Sequence, residues 1–132
     1  MKVILTFGTF DRFHEGHVHY LREAKKLGDR LVVSVARDAH VQTLKQRQAI
    51  RPEGERLQTV VDLPYVDEAR LSDKELGSYE ILSQVNPDIV ALGHDQYALE
   101  ESLHNFLRQS NQKELSSIKV VRLEKYVPPN MD

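Results

Sequence analysis

The sequence predicts an α/β fold: a Rossmann-like, doubly wound and mainly parallel sheet of about five strands, with helices on both faces. Three observations make that prediction. Two short β-prone apolar runs, residues 3–7 (VILTF) and 31–35 (LVVSV), flank a segment of helical periodicity. A third run, residues 88–92 (DIVAL), ends at Gly93 just as the first ends at Gly8. Helix-like and strand-like patterns alternate through the rest of the chain, which favours parallel strands joined by crossover helices.

Each element has its own reason. Residues 3–7 are continuously apolar or β-branched, the mark of a strand buried on both faces. Residues 16–27 place Val18, Leu21, Ala24 and Leu27 on one helical stripe, and Gly28 supplies the stop. Residues 30–36 form the second strand, so the first third of the chain reads as one right-handed βαβ unit. Residues 53–63 are helical by pattern, with Leu57, Val60 and Val61 on one face. Residues 66–71 suggest a short strand, and residues 77–85 a helix ended by Pro87. Residues 88–92 are the next strand, 99–107 a helix and 118–123 the last strand.

The whole chain sets limits on function. Its 132 residues fit one domain, 1–132, and are 40% hydrophobic and 29% charged, as in ordinary globular proteins. A net charge of −2 argues against sequence-independent nucleic-acid binding, which needs clustered excess Lys and Arg. The absence of cysteine removes disulfides, thiolate metal sites and a cysteine nucleophile. The short apolar run at the N-terminus is too brief for a signal peptide, and no stretch approaches the roughly 20 apolar residues of a membrane helix. A cytoplasmic protein with no membrane partner is the expectation.

Ligands of such sheets bind beyond the C-terminal strand ends, which singles out the loops after Phe7 and Leu92. The first reads Gly8-Thr9-Phe10-Asp11-Arg12-Phe13-His14-Glu15-Gly16-His17. Gly8 permits a tight turn and close approach of a phosphate to the main chain. The helix start near Gly16 offers N–H groups and a positive dipole end to an anion. His14 and His17, three apart, flank that start; each donates hydrogen bonds, and either can be charged near neutral pH. Gly16 between them removes a side chain that would obstruct a phosphate. Neither a Walker A loop nor a GxGxxG loop is present. The metalloprotease pattern HExxH fails by one residue, because Val18 stands where its second histidine belongs. A three-histidine metal site using His19, and histidines that merely cap a surface helix, are the competing readings.

The pair Gly8-Thr9-Phe10-Asp11 and His14-Glu15-Gly16-His17 resembles the GTFD…HxGH signature of the cytidylyltransferase-like nucleotidyltransferases. The resemblance extends to about residue 125. Within the family it is nearest the small members, archaeal-type FAD synthetases and glycerol-3-phosphate cytidylyltransferases. Ala36-Arg37-Asp38 and the Leu-Gly-x-Asp-Gln form lean toward the former.

That resemblance implies transfer of a nucleoside monophosphate from ATP or CTP to a small phosphorylated acceptor, with release of pyrophosphate. The preferred acceptor is FMN; the alternative is a polyol or sugar phosphate such as glycerol 3-phosphate. A third reading is a nucleotide-binding module with weakened catalysis. The resemblance implies that His14 and His17 stabilise the α-phosphoryl group and the leaving pyrophosphate. Gly8, Thr9, Phe10, Asp11 and Gly16 would bind nucleotide, and Mg²⁺ would be held in part through Asp11. Lys45, in the loop after the second strand, would contact phosphates. Arg56, opening a helix as Glu55-Arg56, would clamp the acceptor or triphosphate. Gly93, Asp95 and Gln96 match the family's G-x-D loop, with Gly93 allowing close approach and Asp95 reaching the ribose, base or a magnesium-linked water. Family members are often dimers, which leaves a homodimer open, although no exposed apolar stripe in the sequence compels one. Relatives also carry a Ser/Thr-rich element that grips the triphosphate at the C-terminus. Residues 126–132 show no such motif, and Ser116-Ser117 precede the last strand; the expectation is either a chain cut short of that element or a nucleotide held by fewer contacts.

Overall fold

A computed structural model of the chain describes residues 1–110, 115 and 117–129. The chain alternates as β1 (Val3–Gly8), α1 (Glu15–Lys25), β2 (Arg30–Val35), α2 (Asp38–Lys45), α3 (Glu53–Val61), β3 (Glu68–Leu71), α4 (Glu80–Val85), β4 (Ile89–Leu92), α5 (Tyr97–Gln109) and β5 (Lys119–Arg122). The five strands form one sheet in the order β3-β2-β1-β4-β5, and every pairing is parallel. The chain winds outward from β1 through β2 to β3, then crosses back to β4 and β5. The C-terminal ends of β1 and β4 therefore lie at the topological switch point.

Both faces of the sheet are covered, which is why its central strands β1, β2 and β4 are near-continuously apolar rather than alternating, while the edge strands β3 and β5 carry charges. On one face Leu21 and Ala24 of α1 and Val60 of α3 pack on Ile4, Leu31, Val33 and Val35. On the other, Ile81 and Leu82 of α4 and Leu103 of α5 pack on Leu5, Val32, Val90 and Leu92. Burying one such side chain is worth roughly 1.5–3 kcal/mol, so these two clusters are the main source of stability. Among the described residues no helix is long and apolar enough to cross a membrane.

Four expectations need correction. The segment after β2 is not a loop: residues 38–45 form α2, whose C-cap Gln46 is left-handed. Only His40 and Val41 of that helix are buried. Its N-cap Arg37 makes no side-chain cap, the Asp38 N–H going instead to the distant Glu53 carboxylate at 2.7 Å, so its local pattern is a weak signal. Val61 ends α3 46% exposed rather than sharing the buried face of Val60. The helix expected from residue 77 begins at Glu80, because Gly77 and Tyr79 both have positive φ and interrupt it. Val66 lies in a turn, its N–H donating to the Leu63 carbonyl, and β3 starts at Glu68.

Candidate active site

A cleft of about 1090 Å³ opens over the C-terminal strand ends. Such a volume suits two small substrates better than one. Its floor and near wall come from the loop after β1 and the start of α1, where the sequence placed the site.

The histidines are held by the helix start itself. His14 is the N-cap of α1, with extended backbone, and its Nδ1 accepts the Gly16 N–H at 3.0 Å. The His14 N–H in turn donates to Nδ1 of His17 at 3.2 Å. This is a reciprocal cap of the capping-box kind. It has a chemical consequence, because a neutral imidazole whose Nδ1 accepts carries its proton on Nε2. Both rings thus keep an Nε2–H donor that no described side chain occupies, and both line the cleft. The rings stack 4.0 Å apart, and Phe13 and Phe10 back His17 at 5.3 and 5.5 Å. The capping role and a phosphate-binding role are therefore compatible, since the first uses Nδ1 and the second needs Nε2.

Two glycines make this packing feasible. A Cβ on Gly8 would come within 2.5 Å of the Phe10 ring, which folds back over the strand end. Phe10 itself sits at φ 56 and is buried. It walls the site with its ring, in addition to offering the backbone donors of its loop. A Cβ on Gly16 would lie 2.8 Å from Cε1 of His14. Gly16 therefore makes room for the His14 ring, in addition to any space it leaves for a phosphate. No such need exists at Gly93, where a Cβ would meet its nearest protein atom at 3.5 Å.

Electrostatics separate His17 from the initial expectation. Burial, the neighbouring His14 ring and the Lys45 charge push its pKa down to about 4, against a raising effect of Asp11. His17 is thus neutral at pH 7, and not a cation, in the ligand-free protein. The unfolded chain, with an ordinary value of 6.5, takes up a proton at this residue that the folded chain refuses. Stability contributed here is consequently level above about pH 6.5 and falls as the pH drops from 6.5 toward 4. An NMR titration of the imidazole resonances is expected to give a His17 midpoint near 4, moved upward when a polyphosphate binds. A midpoint near 6.5 in the free protein would contradict the buried, neutral ring.

Three expected ligand contacts turn out to be internal fastenings. Arg56 is 1% exposed. Its Nε donates to the Arg51 carbonyl, Nη1 to the carbonyls of Thr9 and Ala36, and Nη2 to Asp38, at 2.7 to 2.9 Å. A guanidinium so enclosed cannot clamp a substrate; it ties the first loop to the end of β2 and the start of α3. Asp11 accepts N–H bonds from Ile50 and Arg51 at 2.8 and 3.0 Å. Burial pushes its carboxyl up, but those donors and the charges of Arg56 and Arg47 outweigh this and hold it below the usual range. Gln96 Oε1 accepts the Gly93 N–H at 2.7 Å while its Nε2 donates to the Phe7 carbonyl at 3.0 Å. It staples the two strand ends across the switch point.

The helix start is likewise less open than the sequence suggested. The Gly16 N–H is taken by the His14 ring and the His17 N–H by the His14 carbonyl at 3.0 Å. Donors toward an anion are then the two Nε2–H groups and the N–H groups of Thr9 and Phe10, which bond to no other described residue. Lys45, exposed at the end of α2, lines the cleft and is near enough to act on His17. Asp95 is exposed on the opposite side of the cleft; α5 starts at Tyr97 with no side-chain cap, so Asp95 does not cap it. His19 packs against Tyr126 at 5.0 Å, and among the described residues no group of three or more His, Cys, Asp or Glu side chains is placed to hold a metal. Ser116 and residues 130–132 lie outside the described residues.

Sequence reasoning missed Tyr20 and Ser34. The Tyr20 hydroxyl lies 3.0 Å from the Ala91 carbonyl and 3.1 Å from that of Phe7, joining β1 to β4 under the site, and its burial raises its pKa. Ser34, on the cleft floor, is buried, and its hydroxyl has no hydrogen-bond partner among the described residues. Both read in the sequence as ordinary core positions.

Comparison with known proteins shows the family. The profile of the family described as cytidylyltransferase-like matches residues 5–124. The chain is 46% identical over 109 residues to an FAD synthase of Ferroglobus placidus, covering 83% of this chain and 70% of that one. It is 43% identical over 108 residues to an FAD synthase of Thermococcus sibiricus, covering 82% and 73%. Among solved structures, a lipopolysaccharide core biosynthesis protein from Thermoplasma volcanium superposes with a TM-score of 0.80 at 38% identity, covering 96% of this chain and 99% of that one.

Proposed function

The chain belongs to the cytidylyltransferase-like family and is a nucleotidyltransferase, and from that premise we propose that it transfers AMP from ATP to the phosphate of FMN, forming FAD and releasing pyrophosphate. The observation that carries the acceptor is an apolar lip on the β2–β3 side of the cleft. Leu44 of α2 and Leu76 of the segment before α4 line the cleft, yet are 65% and 47% exposed. Exposed leucines facing a polar phosphate site match a flat apolar ring better than a polyol. The FAD synthase relatives support the same acceptor.

In this reading an FMN phosphate oxygen attacks the α-phosphorus of ATP in line with the bond to the β-phosphate, which breaks as pyrophosphate leaves. Both reacting groups are anionic, so the protein's task is positioning and charge stabilisation. The Nε2–H groups of His14 and His17 donate to the α-phosphoryl oxygens and the leaving oxygen. Thr9 and Phe10 add backbone donors, and Lys45 neutralises phosphate charge across the cleft. Asp95, free on the β4 side, is placed for hydroxyls of the nucleotide ribose. Mg²⁺ is part of the substrate, as the counter-ion of the triphosphate, keeping most of its waters. Among the described residues no cluster of carboxylates or histidines is placed to hold a resident ion, and Asp11, which stands alone, already accepts two backbone N–H groups.

Pyrophosphate release with Mg²⁺, crossing ATP and CTP against FMN and glycerol 3-phosphate, tests the reading. Release is expected with ATP plus FMN. Release only with CTP plus glycerol 3-phosphate would replace the acceptor, and nucleotide binding without release in any pairing would make the chain a binding module.

Gly16→Ala isolates the histidine geometry from the fold. Alanine suits the first turn of a helix, so stability is expected to change by under about 1 kcal/mol. The new methyl displaces the His14 ring, and turnover is expected to fall about tenfold or more. Unchanged turnover would mean that the observed placement of His14 is not needed.

A further inference from the structure

We propose that His40 is a positioning residue for the acceptor side of the cleft, an inference that rests on the acceptor reading above. His40 is 8% exposed, in the first turn of α2. Its two ring nitrogens reach the same neighbouring segment: Nδ1 lies 3.1 Å from the Ser72 hydroxyl and Nε2 lies 3.1 Å from the Lys74 carbonyl. A carbonyl only accepts, so Nε2 carries the proton, and Nδ1 then accepts from Ser72. Arg37, at the start of α2, completes the attachment. Its N–H donates to the Ser72 hydroxyl at 3.1 Å and its Nε to the Ser72 carbonyl at 2.6 Å.

What His40 holds is the lip itself. Beyond Lys74 the chain runs through Leu76 and Gly77, both lining the cleft, and turns through two left-handed residues into α4. At Tyr79, which is not a glycine, that conformation costs free energy and persists only where neighbouring contacts fix it. The same helix carries Leu44, the other exposed leucine of the lip, and Lys45 at its end. His40 therefore locks α2 and residues 72–77 into one wall, setting the distance between Leu76 and Leu44 and their placement relative to Lys45. It lines the same cleft as the paired histidines, but both its ring nitrogens are held by Ser72 and Lys74, so it serves acceptor binding and not the chemical step.

The experiment measures kcat, KM for FMN and KM for ATP in His40→Phe, His40→Gln and Ser72→Ala, with FMN affinity read independently by quenching of flavin fluorescence. His40→Phe keeps a ring of similar size and removes both hydrogen bonds. It is expected to raise KM for FMN and weaken flavin binding about tenfold, the equivalent of one lost hydrogen-bonded contact. KM for ATP should stay within about twofold. His40→Gln retains a donor toward Lys74 and should recover most of the loss. Ser72→Ala, which leaves the ring in place, should move KM for FMN in the same direction and serves if His40→Phe does not fold. Equal changes in both KM values, or none in either, would overturn the proposal. Wild-type protein that neither binds flavin nor uses it would instead defeat the acceptor reading, a separate result.

Discussion

Replacing His17 with alanine is expected to lower kcat by about a hundred- to a thousandfold while leaving the fold in place. The magnitude is that of removing one preorganised donor aimed at developing charge. His17 is a strong candidate for such a donor because its whole environment is arranged before substrate arrives. Its Nδ1 is occupied by the His14 N–H, and its ring is stacked between His14 and Phe13. Its pKa near 4 keeps it neutral, so the Nε2–H donor is present across the physiological range without a proton to be gained first. The fold should survive, since His17 is half-buried and its one structural bond caps an exposed helix start. Steady-state kinetics with ATP and FMN, alongside a thermal melt, provide the check. His17→Asn is a useful companion: it offers an acceptor to the cap but no donor at the Nε2 position, and should be as slow as alanine. Turnover within a few-fold of wild type in both variants would remove the proposed mechanism.

The sequence made the frame legible where the signal is local. β1, β2 and β4 are contiguous apolar runs, and α1 is a regular stripe ended by glycine; neither needs knowledge of distant contacts. The GTFD and HxGH segments were equally legible because their residues act on each other within ten positions. What sequence alone did not show is the destination of a polar side chain when its partner is far along the chain. Asp11 meets the backbone 39 and 40 residues on, and Gln96 reaches Phe7 across 89. A carboxylate or amide in a glycine-bearing loop at a strand end reads as a ligand contact unless those partners are visible. The helix α2 was hidden for a related reason. Its buried side is made by His40 and Val41, and a polar residue satisfied by a distant segment adds nothing to apolar periodicity. Tyr20 was lost in the opposite direction, because an aromatic residue on the inner stripe of a helix reads as core until its hydroxyl is seen between two strand ends.

Arg56 provides the second large expected effect, on stability rather than on chemistry. Arg56→Met, similar in length and apolar, is expected to destabilise the folded state by about 3–5 kcal/mol, the range seen when one partner of a buried ionic network is removed. Four groups lose their donor together: the carbonyls of Thr9, Ala36 and Arg51 and the Asp38 carboxylate. Asp38 is about half exposed and recovers part of its loss from water, so the carbonyl groups dominate the cost. Set against a total of 5–15 kcal/mol for a typical domain, this is a melting point lowered by on the order of 10 °C. Arg56→Lys should be nearly as damaging, since one ammonium cannot reach donors on three sides in a fixed plane. Function then separates this role from the clamp that the sequence suggested. An arginine that gripped phosphate would, when replaced, leave the melting point alone and raise KM for ATP. An arginine that ties the Thr9 loop to β2 and α3 should lower the melting point, and any loss of activity should follow the fraction folded as temperature rises. Thermal melts paired with ATP kinetics well below the melting point distinguish the two: a wild-type melting point with a weakened ATP KM would return Arg56 to the substrate.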